Sequence, residues 1–297
     1  MARDQARHVS IDSHIHIGRD VFFSSHKIEY YPCMKTAQSV GEIIKILNTF
    51  NVEKAVVIPF PSPRMANEED EFWYHYENDL TLCACEEYKN RLYPALAFHP
   101  YDKRNIEFLI RMIKEGKVIG LKFHPRAIQI PYEALISNPV LEIASEYDIP
   151  IILHIGSGRE EEFRRRGMDI SLRSALYVSE AHRDNIFIFT HLGRLHRCLE
   201  DALRADNVYV DTSALTLKGI WNGFVAIDAW AEIVDLSPRE IIEFLVDLGF
   251  QDKLLWGSDM PFCLSYEAEL SYVLDANIDE RSKRRILYEN ARKIFGI

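Results

Sequence analysis

Cysteine is scarce in this chain. Its 297 residues hold five, Cys33, Cys83, Cys85, Cys198 and Cys263, too few and too scattered to staple a disulfide scaffold, so a reducing compartment is expected. The Cys83 and Cys85 pair reads as core cysteine, because positions two apart on a helix do not converge on one ion. Long apolar runs are missing too. No stretch reaches the ~18 residues of a spanning helix, and the opening MARDQARHVS has no apolar core of signal-peptide length. These absences predict a soluble cytoplasmic protein with no membrane partner. Basic charge is in deficit, 35 Lys and Arg against 45 Asp and Glu for a net charge of -10, which argues against a nucleic-acid surface and leaves room for a local basic pocket. A Gly-rich strand-to-helix turn is also absent, which removes the phosphate fingerprint of an open doubly wound sheet.

What is present is an alternation. Eight apolar, β-branched runs begin at residues 9, 54, 92, 118, 150, 186, 208 and 253. Several, such as Val56 to Ile58 and Ile186 to Phe189, are almost continuously apolar, as parallel strands buried on both faces require. Residues 37–50, 103–116, 139–148, 171–184 and 237–250 carry helical spacing between them, some with stops at Gly116, Pro150 or Gly249. Hydrophobic residues make up 47% of the chain, enough for a large core. Eight strand-helix units over this length predict one α/β domain over residues 1–297, a distorted (β/α)8 TIM barrel. Three connections exceed what a barrel needs, roughly Arg19 to Thr36, Pro61 to Glu87 and Ser213 to Pro238. Their aromatics suit either lids over the catalytic rim with a homodimer contact, or simple covers for the barrel ends. The tail reads as a closing amphipathic helix with Ile286, Leu287, Ala291, Ile294 and Phe295 on its apolar face.

Six of the eleven histidines, His14, His16, His99, His124, His154 and His191, fall at or just past the ends of these runs. Side chains two apart on a strand share a side, so His14 and His16 can both reach inward. An HxH alone is a weak signal. With His154 after the fifth run, His191 after the sixth and Asp259 after the eighth, one barrel mouth gathers imidazoles and a carboxylate, a donor set that suits a divalent metal, zinc first. Asp12 shares the parity of the histidines and is expected to brace the ligand layer or hydrogen-bond the far nitrogen of a ligand imidazole. Asp211 ends a strand and reads as a supporting or structural group. Lys122 and His124 share parity on the fourth strand and are the candidate substrate-binding residues, Lys122 as a point charge for a carboxylate. Arg64, Arg126, Arg159 and Arg194 follow strands and are weaker candidates of the same kind. Arg164 to Arg166 read as solvated surface, because consecutive helix residues do not share one face.

The motifs IDSHIHIG from residue 11, GLKFHP from 120, IILHIG from 151, THLGR from 190, WGSDMPF from 256 and ENARKIFGI from 289 occur in one order over nearly the whole chain. In this the sequence resembles the amidohydrolase superfamily, specifically the amidohydrolase 2 branch related to aminocarboxymuconate-semialdehyde decarboxylase. That resemblance implies a catalytic divalent metal held by His14, His16, His154 and Asp259, with His191 as a catalytic or alternative ligand histidine. In the two-metal part of the superfamily a lysine at the end of strand 4 is carboxylated. Here one metal and an unmodified Lys122 are expected.

The function expected from this set is metal-dependent hydrolysis. The metal acidifies a water that attacks a carbonyl of a small acidic substrate, Asp259 moves the proton, and the metal or His191 stabilises the oxyanion. The alternative enzyme reading is nonoxidative decarboxylation of an unsaturated or aromatic acid. The alternative of another class is a catalytically inactive binding barrel, disfavoured because idle buried ligands leave desolvated polar groups.

Overall fold

The computed structural model describes residues 8–18, 39–60, 73–156, 160–219 and 224–297. Eight parallel strands follow one another in sequence order around a nearly closed barrel: β1 Ser10–Ile17, β2 Val52–Pro59, β3 Leu92–Ala97, β4 Gly120–Phe123, β5 Ile151–Leu153, β6 Phe187–Phe189, β7 Val208–Asp211 and β8 Leu254–Leu255. β8 is only two residues long because the chain past it turns onto β1. There Ser13 N donates to Trp256 O at 3.0 Å, Asp259 N to His14 O at 2.8 Å and His16 N to Met260 O at 2.7 Å. The crossing is so tight that a Cβ at Gly257 would lie 2.9 Å from the His14 Cβ, so only glycine fits.

Helices cover the outside: α1 Val40–Thr49, α2 Trp73–Glu87, α3 Lys103–Lys114, α4 Pro139–Glu146, α5 Leu172–Ala181, α6 Leu199–Arg204, α7 Pro238–Asp247, α8 Tyr266–Leu274 and α9 Asn290–Phe295. Their starts are set by short polar side chains that accept from free amides, Ser39 for α1, Asp102 for α3, Asn138 for α4 and Ser237, in a capping box with Glu240, for α7. The sequence pattern places α2 inside a long connection, and its buried face explains why. Tyr74, Glu77, Asn78, Thr81, Ala84 and Cys85 keep helical spacing but half of them are polar, so the face carries no hydrophobic period. Asn78 repays its burial by exchanging two 2.8 Å hydrogen bonds with the backbone of Ala97 at the end of β3. On the same helix Cys85 is buried as expected, but Cys83 is exposed, because a position two residues along a helix points elsewhere.

The barrel interior is a separate apolar cluster, with Ile11, Val56, Ala95, Ile152, Ile188 and Leu255 from the strands and Ala291, Ile294 and Phe295 from α9. Helix α9 therefore plugs the amino-terminal end, and the buried face expected of the tail is the one observed. The plug leaves only the opposite, carboxyl-terminal rim open to chemistry. Among the described residues no helix is long and apolar enough to cross a membrane. The connection from Arg19 to Thr36, residues 61–72 of the second with Arg64, residues 220–223 of the third, and Arg159 lie outside the described residues.

Candidate active site

β1 carries the first two functional side chains. Its register against β2 shifts between Asp12 and Ile15, and after that irregularity Ile15 pairs with Val57 and His16 with Ile58. His16 thus joins the side of Ile58, which belongs to the interior cluster, while Asp12 pairs with Ala55, which packs toward the helices. This corrects the parity expected for Asp12. It accepts from His14 N at 3.1 Å, Ser258 N at 3.0 Å and the Tyr266 hydroxyl at 3.0 Å, and so braces backbone without touching an imidazole nitrogen. Burial outweighs those hydrogen bonds and pushes its carboxyl up to about 7.

Asp211 does what Asp12 was expected to do. At the end of β7 its Oδ2 lies 2.7 Å from His14 Nδ1, while Oδ1 accepts from His191 N at 2.8 Å, Ser213 N at 3.1 Å and the Ser213 hydroxyl at 2.5 Å. Burial works to raise this carboxyl, yet its interaction with His14 holds it well below the usual range. A carboxylate can only accept, so it takes the Nδ1 proton of His14 and leaves Nε2 as a lone pair. His16 is fixed the same way, with Nδ1 3.3 Å from the carbonyl of Pro59. Burial also pushes the His16 imidazole down, toward the neutral form.

Those tautomers make the next distances informative. His14 Nε2 and His16 Nε2 are 3.1 Å apart, and Asp259 Oδ1 lies 3.4 Å from the first and 3.1 Å from the second. Three lone-pair atoms converge with no proton between them, which is what a shared cation requires. Ligands on one tetrahedral ion with bonds of ~2.0–2.1 Å are separated by roughly 3.3 Å, close to the observed spacing. His14, His16 and Asp259 are buried and form a candidate metal site among the described residues. Asp259 sits at a left-handed φ of 62° just where β8 bends onto β1. Burial works to raise its carboxyl, and the neighbouring imidazoles, His16 first, bring it down to about 2, so it stands as a carboxylate.

His154 stands outside this triangle. Its Nδ1 faces His191 Nε2 at 3.2 Å, its ring stacks on His124 with centroids 3.7 Å apart, and its carbonyl accepts from the Tyr132 hydroxyl. His191 is buried, and the Ser213 hydroxyl, already committed to Asp211, accepts from its Nδ1 at 2.9 Å. Its Nε2 is therefore an acceptor, and burial pushes the imidazole down to about 3. In this state His191 has no Nε2 proton to offer an oxyanion, so proton acceptance is its available role. His124 takes the Ala127 amide on Nδ1 at 3.3 Å, which leaves Nε2 as a donor. Lys122, on β4 beside Ile152 of the interior cluster, is 2% exposed, and its Nζ has no hydrogen-bond partner among the described residues. Burial lowers the ammonium to about 8 against the upward pull of Asp211 and Asp259.

A strained turn after β6 sets His191. Residues 191–195 all have positive φ, 59°, 46°, 55°, 57° and 55°, a left-handed turn in which only Gly193 is at ease. Each of the others costs roughly 1–2 kcal/mol in that region. A Cβ at Gly193 would meet Leu172 Cδ1 at 2.0 Å, so Gly193→Ala should destabilise the protein by about 2 kcal/mol or more. Denaturant unfolding checks this, and an unchanged midpoint would rule the turn out as a packing constraint.

Several members of the site went unnoticed in the sequence. Ser213 lies two residues past Asp211, where the parity rule would have found it. Phe60 and Phe262 stack at 4.7 Å and edge His16, but as single aromatics in apolar runs they gave no signal. Arg164 to Arg166 are exposed and lie beside Glu161 and Glu162, the surface role expected of them.

The sequence model of the amidohydrolase family matches residues 59–297. No curated protein matches the chain. Among solved structures it is similar to a probable 2-pyrone-4,6-dicarboxylic acid hydrolase of Acinetobacter baumannii with citric acid bound, at 17% identity and TM-score 0.63 over 97% of this chain and 99% of the other. A 2,6-dihydroxybenzoate decarboxylase of Rhizobium matches at 14% identity and TM-score 0.64, over 97% of this chain and 98% of the other. A 5-carboxyvanillate decarboxylase of Novosphingobium aromaticivorans, complexed with manganese and 4-hydroxy-3-methoxy-5-nitrobenzoic acid, matches at 14% identity and TM-score 0.69, over 100% of this chain and 98% of the other. At these identities the likeness establishes the barrel and not the reaction.

Proposed function

The chain belongs to the amidohydrolase family, and from that premise we propose that it is a metal-dependent hydrolase of a small carboxylate-bearing substrate. The observation that carries the reading is the buried triangle of His14 Nε2, His16 Nε2 and Asp259 Oδ1, 3.1–3.4 Å apart. His14, His16 and Asp259 hold one divalent ion, with His154 as a fourth donor by its place at the end of β5. Such an ion supplies a Lewis acid and an acidified water. Two imidazoles and a carboxylate suit zinc, and manganese, which the Novosphingobium enzyme carries, is the alternative.

The chain's own groups then divide the work. Asp259 accepts the proton of the attacking water and returns it to the leaving group. His191 accepts a proton at Nε2, and Ser213 with Asp211 holds its other nitrogen. His124 donates from Nε2 to a substrate oxygen, and the Lys122 ammonium holds the substrate's carboxylate. The acids bound by two of the similar structures, citric acid and a substituted benzoic acid, support an acidic substrate.

Decarboxylation is the second reading, and Lys122 favours it, because a buried ammonium with no hydrogen-bond partner among the described residues is suited to hold the acid group next to the reacting carbon. Isotopes separate the two. With the metal-loaded protein and a panel of lactones, amides and hydroxybenzoic acids, hydrolysis puts one oxygen from labelled water into the product. Decarboxylation releases carbon dioxide and, in heavy water, leaves one deuterium on the product carbon. A protein that binds no transition metal defeats both. His191→Ala should keep its metal yet lose roughly 10²-fold in turnover, and full activity in the metal-replete variant would remove His191 from the mechanism.

A further inference from the structure

Helix α8 carries two buried polar side chains three residues apart, on one face. Tyr266 reaches Asp12 of β1, and Glu269 reaches the loop after β7. The helix is also pinned to β8, because Trp256 Nε1 donates to the Glu269 carbonyl at 3.1 Å, three residues before Asp259. It is thus fixed to the two strands that bring His14, His16 and Asp259 together.

Glu269 is only 2% exposed, and its carboxyl takes three donors from the β7 loop. Oε1 accepts from Thr216 N at 2.8 Å and the Thr216 hydroxyl at 2.6 Å, and Oε2 accepts from Leu215 N at 3.1 Å. The same hydroxyl accepts from Leu264 N at 3.0 Å, which ties the segment past β8 to the one past β7. Burial pushes the carboxyl well above its usual range, against the pull of the Thr216 and Leu215 donors, so it is a costly group to keep where an apolar side chain could pack. Both amides turn to one side because Ala214 before them has a φ of 64°, in the left-handed region that alanine avoids. Two acids therefore hold Ala214 from its two sides, Asp211 through Ser213 N and the Ser213 hydroxyl, Glu269 through Leu215 and Thr216. Between them lies the Ser213 carbonyl, 3.3 Å from His191 Nδ1. That carbonyl belongs to the planar Ser213–Ala214 peptide, so its direction turns with the φ of Ala214. Further along the same connection Ala226 N donates to Arg194 O at 2.8 Å and Trp230 N to Leu195 O at 2.7 Å, so the β7 loop also holds the turn on which His191 stands.

We propose that Glu269 is a positioning residue of the active site: by clamping Ala214 in its left-handed conformation it keeps Ser213 on His191 Nδ1 and so registers the His191 ring to the metal ligands. The inference rests on the reading of His191 as a proton acceptor. A carboxyl that served packing alone would act without regard to the conformation of Ala214, and that difference supplies the test.

Ring-nitrogen NMR of the zinc-loaded protein reads the placement without a substrate. Wild-type His191 should carry its proton on Nδ1, in slow exchange with water. Glu269→Gln cannot accept on both sides, since either way its amide lies an N–H group faces Leu215 N or Thr216 N. In this variant the Nδ1 proton should exchange at least about 10-fold faster. Zinc affinity should stay within about threefold of wild type, because no ligand is altered, while kcat falls roughly 10²-fold with KM nearly unchanged. Ala214→Gly in the same background should recover most of both losses, because glycine holds a positive φ without a clamp. Thr216→Val leaves Glu269 in place but removes the hydroxyl link. It should show the same pattern more weakly, and it keeps the test open if the glutamine variant does not fold. An unchanged exchange rate in both variants overturns the proposal and leaves the role of His191 standing. So does a glutamine variant whose losses Ala214→Gly fails to recover, since Glu269 would then act by packing alone. Full turnover in metal-replete His191→Ala defeats the reading on which the proposal rests, a failure that the exchange rates keep separate.

Discussion

Asp259→Asn is expected to lose at least about 10³-fold in turnover and most of its metal affinity while the metal-free protein becomes no less stable. The two halves have one cause. In the native site three acceptors stand within 3.1–3.4 Å of one another, and without a cation their lone pairs oppose. An asparagine of the same shape turns one acceptor into a donor that can satisfy His16 Nε2, so the strain of the empty triangle is relieved as its use is lost. Thermal melts with and without added zinc or manganese read this directly. Wild-type protein should rise in melting temperature on metal addition, by the linkage of binding to folding, and the variant should not. Equal metal-induced shifts in both would show that Asp259 is no ligand.

The strand order and the rim were legible because they depend on local pattern. Near-continuous apolar runs marked the eight strands, and the two-residue period of β1 was enough to pair His14 with His16. What pattern could not show was anything that a backbone irregularity decides. The register shift between Asp12 and Ile15 moves Asp12 off the side of His16, and no residue type in IDSHIHIG announces it. The role expected there passes to Asp211, which the sequence placed at a strand end but could not aim. The turn at 191–195 is equally silent. Gly193 hints at it, yet four of its five residues are ones that avoid positive φ, and only packing against Leu172 and the β7 loop holds them there. Helix α2 escaped for another reason, since its buried face is polar and is satisfied by the backbone of β3.

Asp211→Asn should cost about 3–5 kcal/mol of folding stability and lower metal affinity roughly 10–100-fold, although Asp211 touches no metal in the arrangement proposed. Its carboxylate receives protons on both sides, from His14 on one oxygen and from His191 N, Ser213 N and the Ser213 hydroxyl on the other. An amide has one acceptor and one donor. If its oxygen faces His191 and Ser213, its nitrogen meets His14 Nδ1, and His14 must move its proton to Nε2, the atom meant for the ion. If it is flipped, His14 keeps its tautomer and two buried backbone amides lose their acceptor, each at about 1–3 kcal/mol. Either orientation damages the site, by different routes, and nitrogen NMR of the His14 ring distinguishes them. Ser213→Ala serves as the control. It removes one donor to Asp211 and the hydroxyl contact of His191 but leaves the His14 tautomer alone, so it should lower turnover more than metal affinity. If Asp211→Asn binds metal as tightly as wild type, then the tautomer of His14 is not set by Asp211, and the argument that three lone pairs converge on a cation loses its first step.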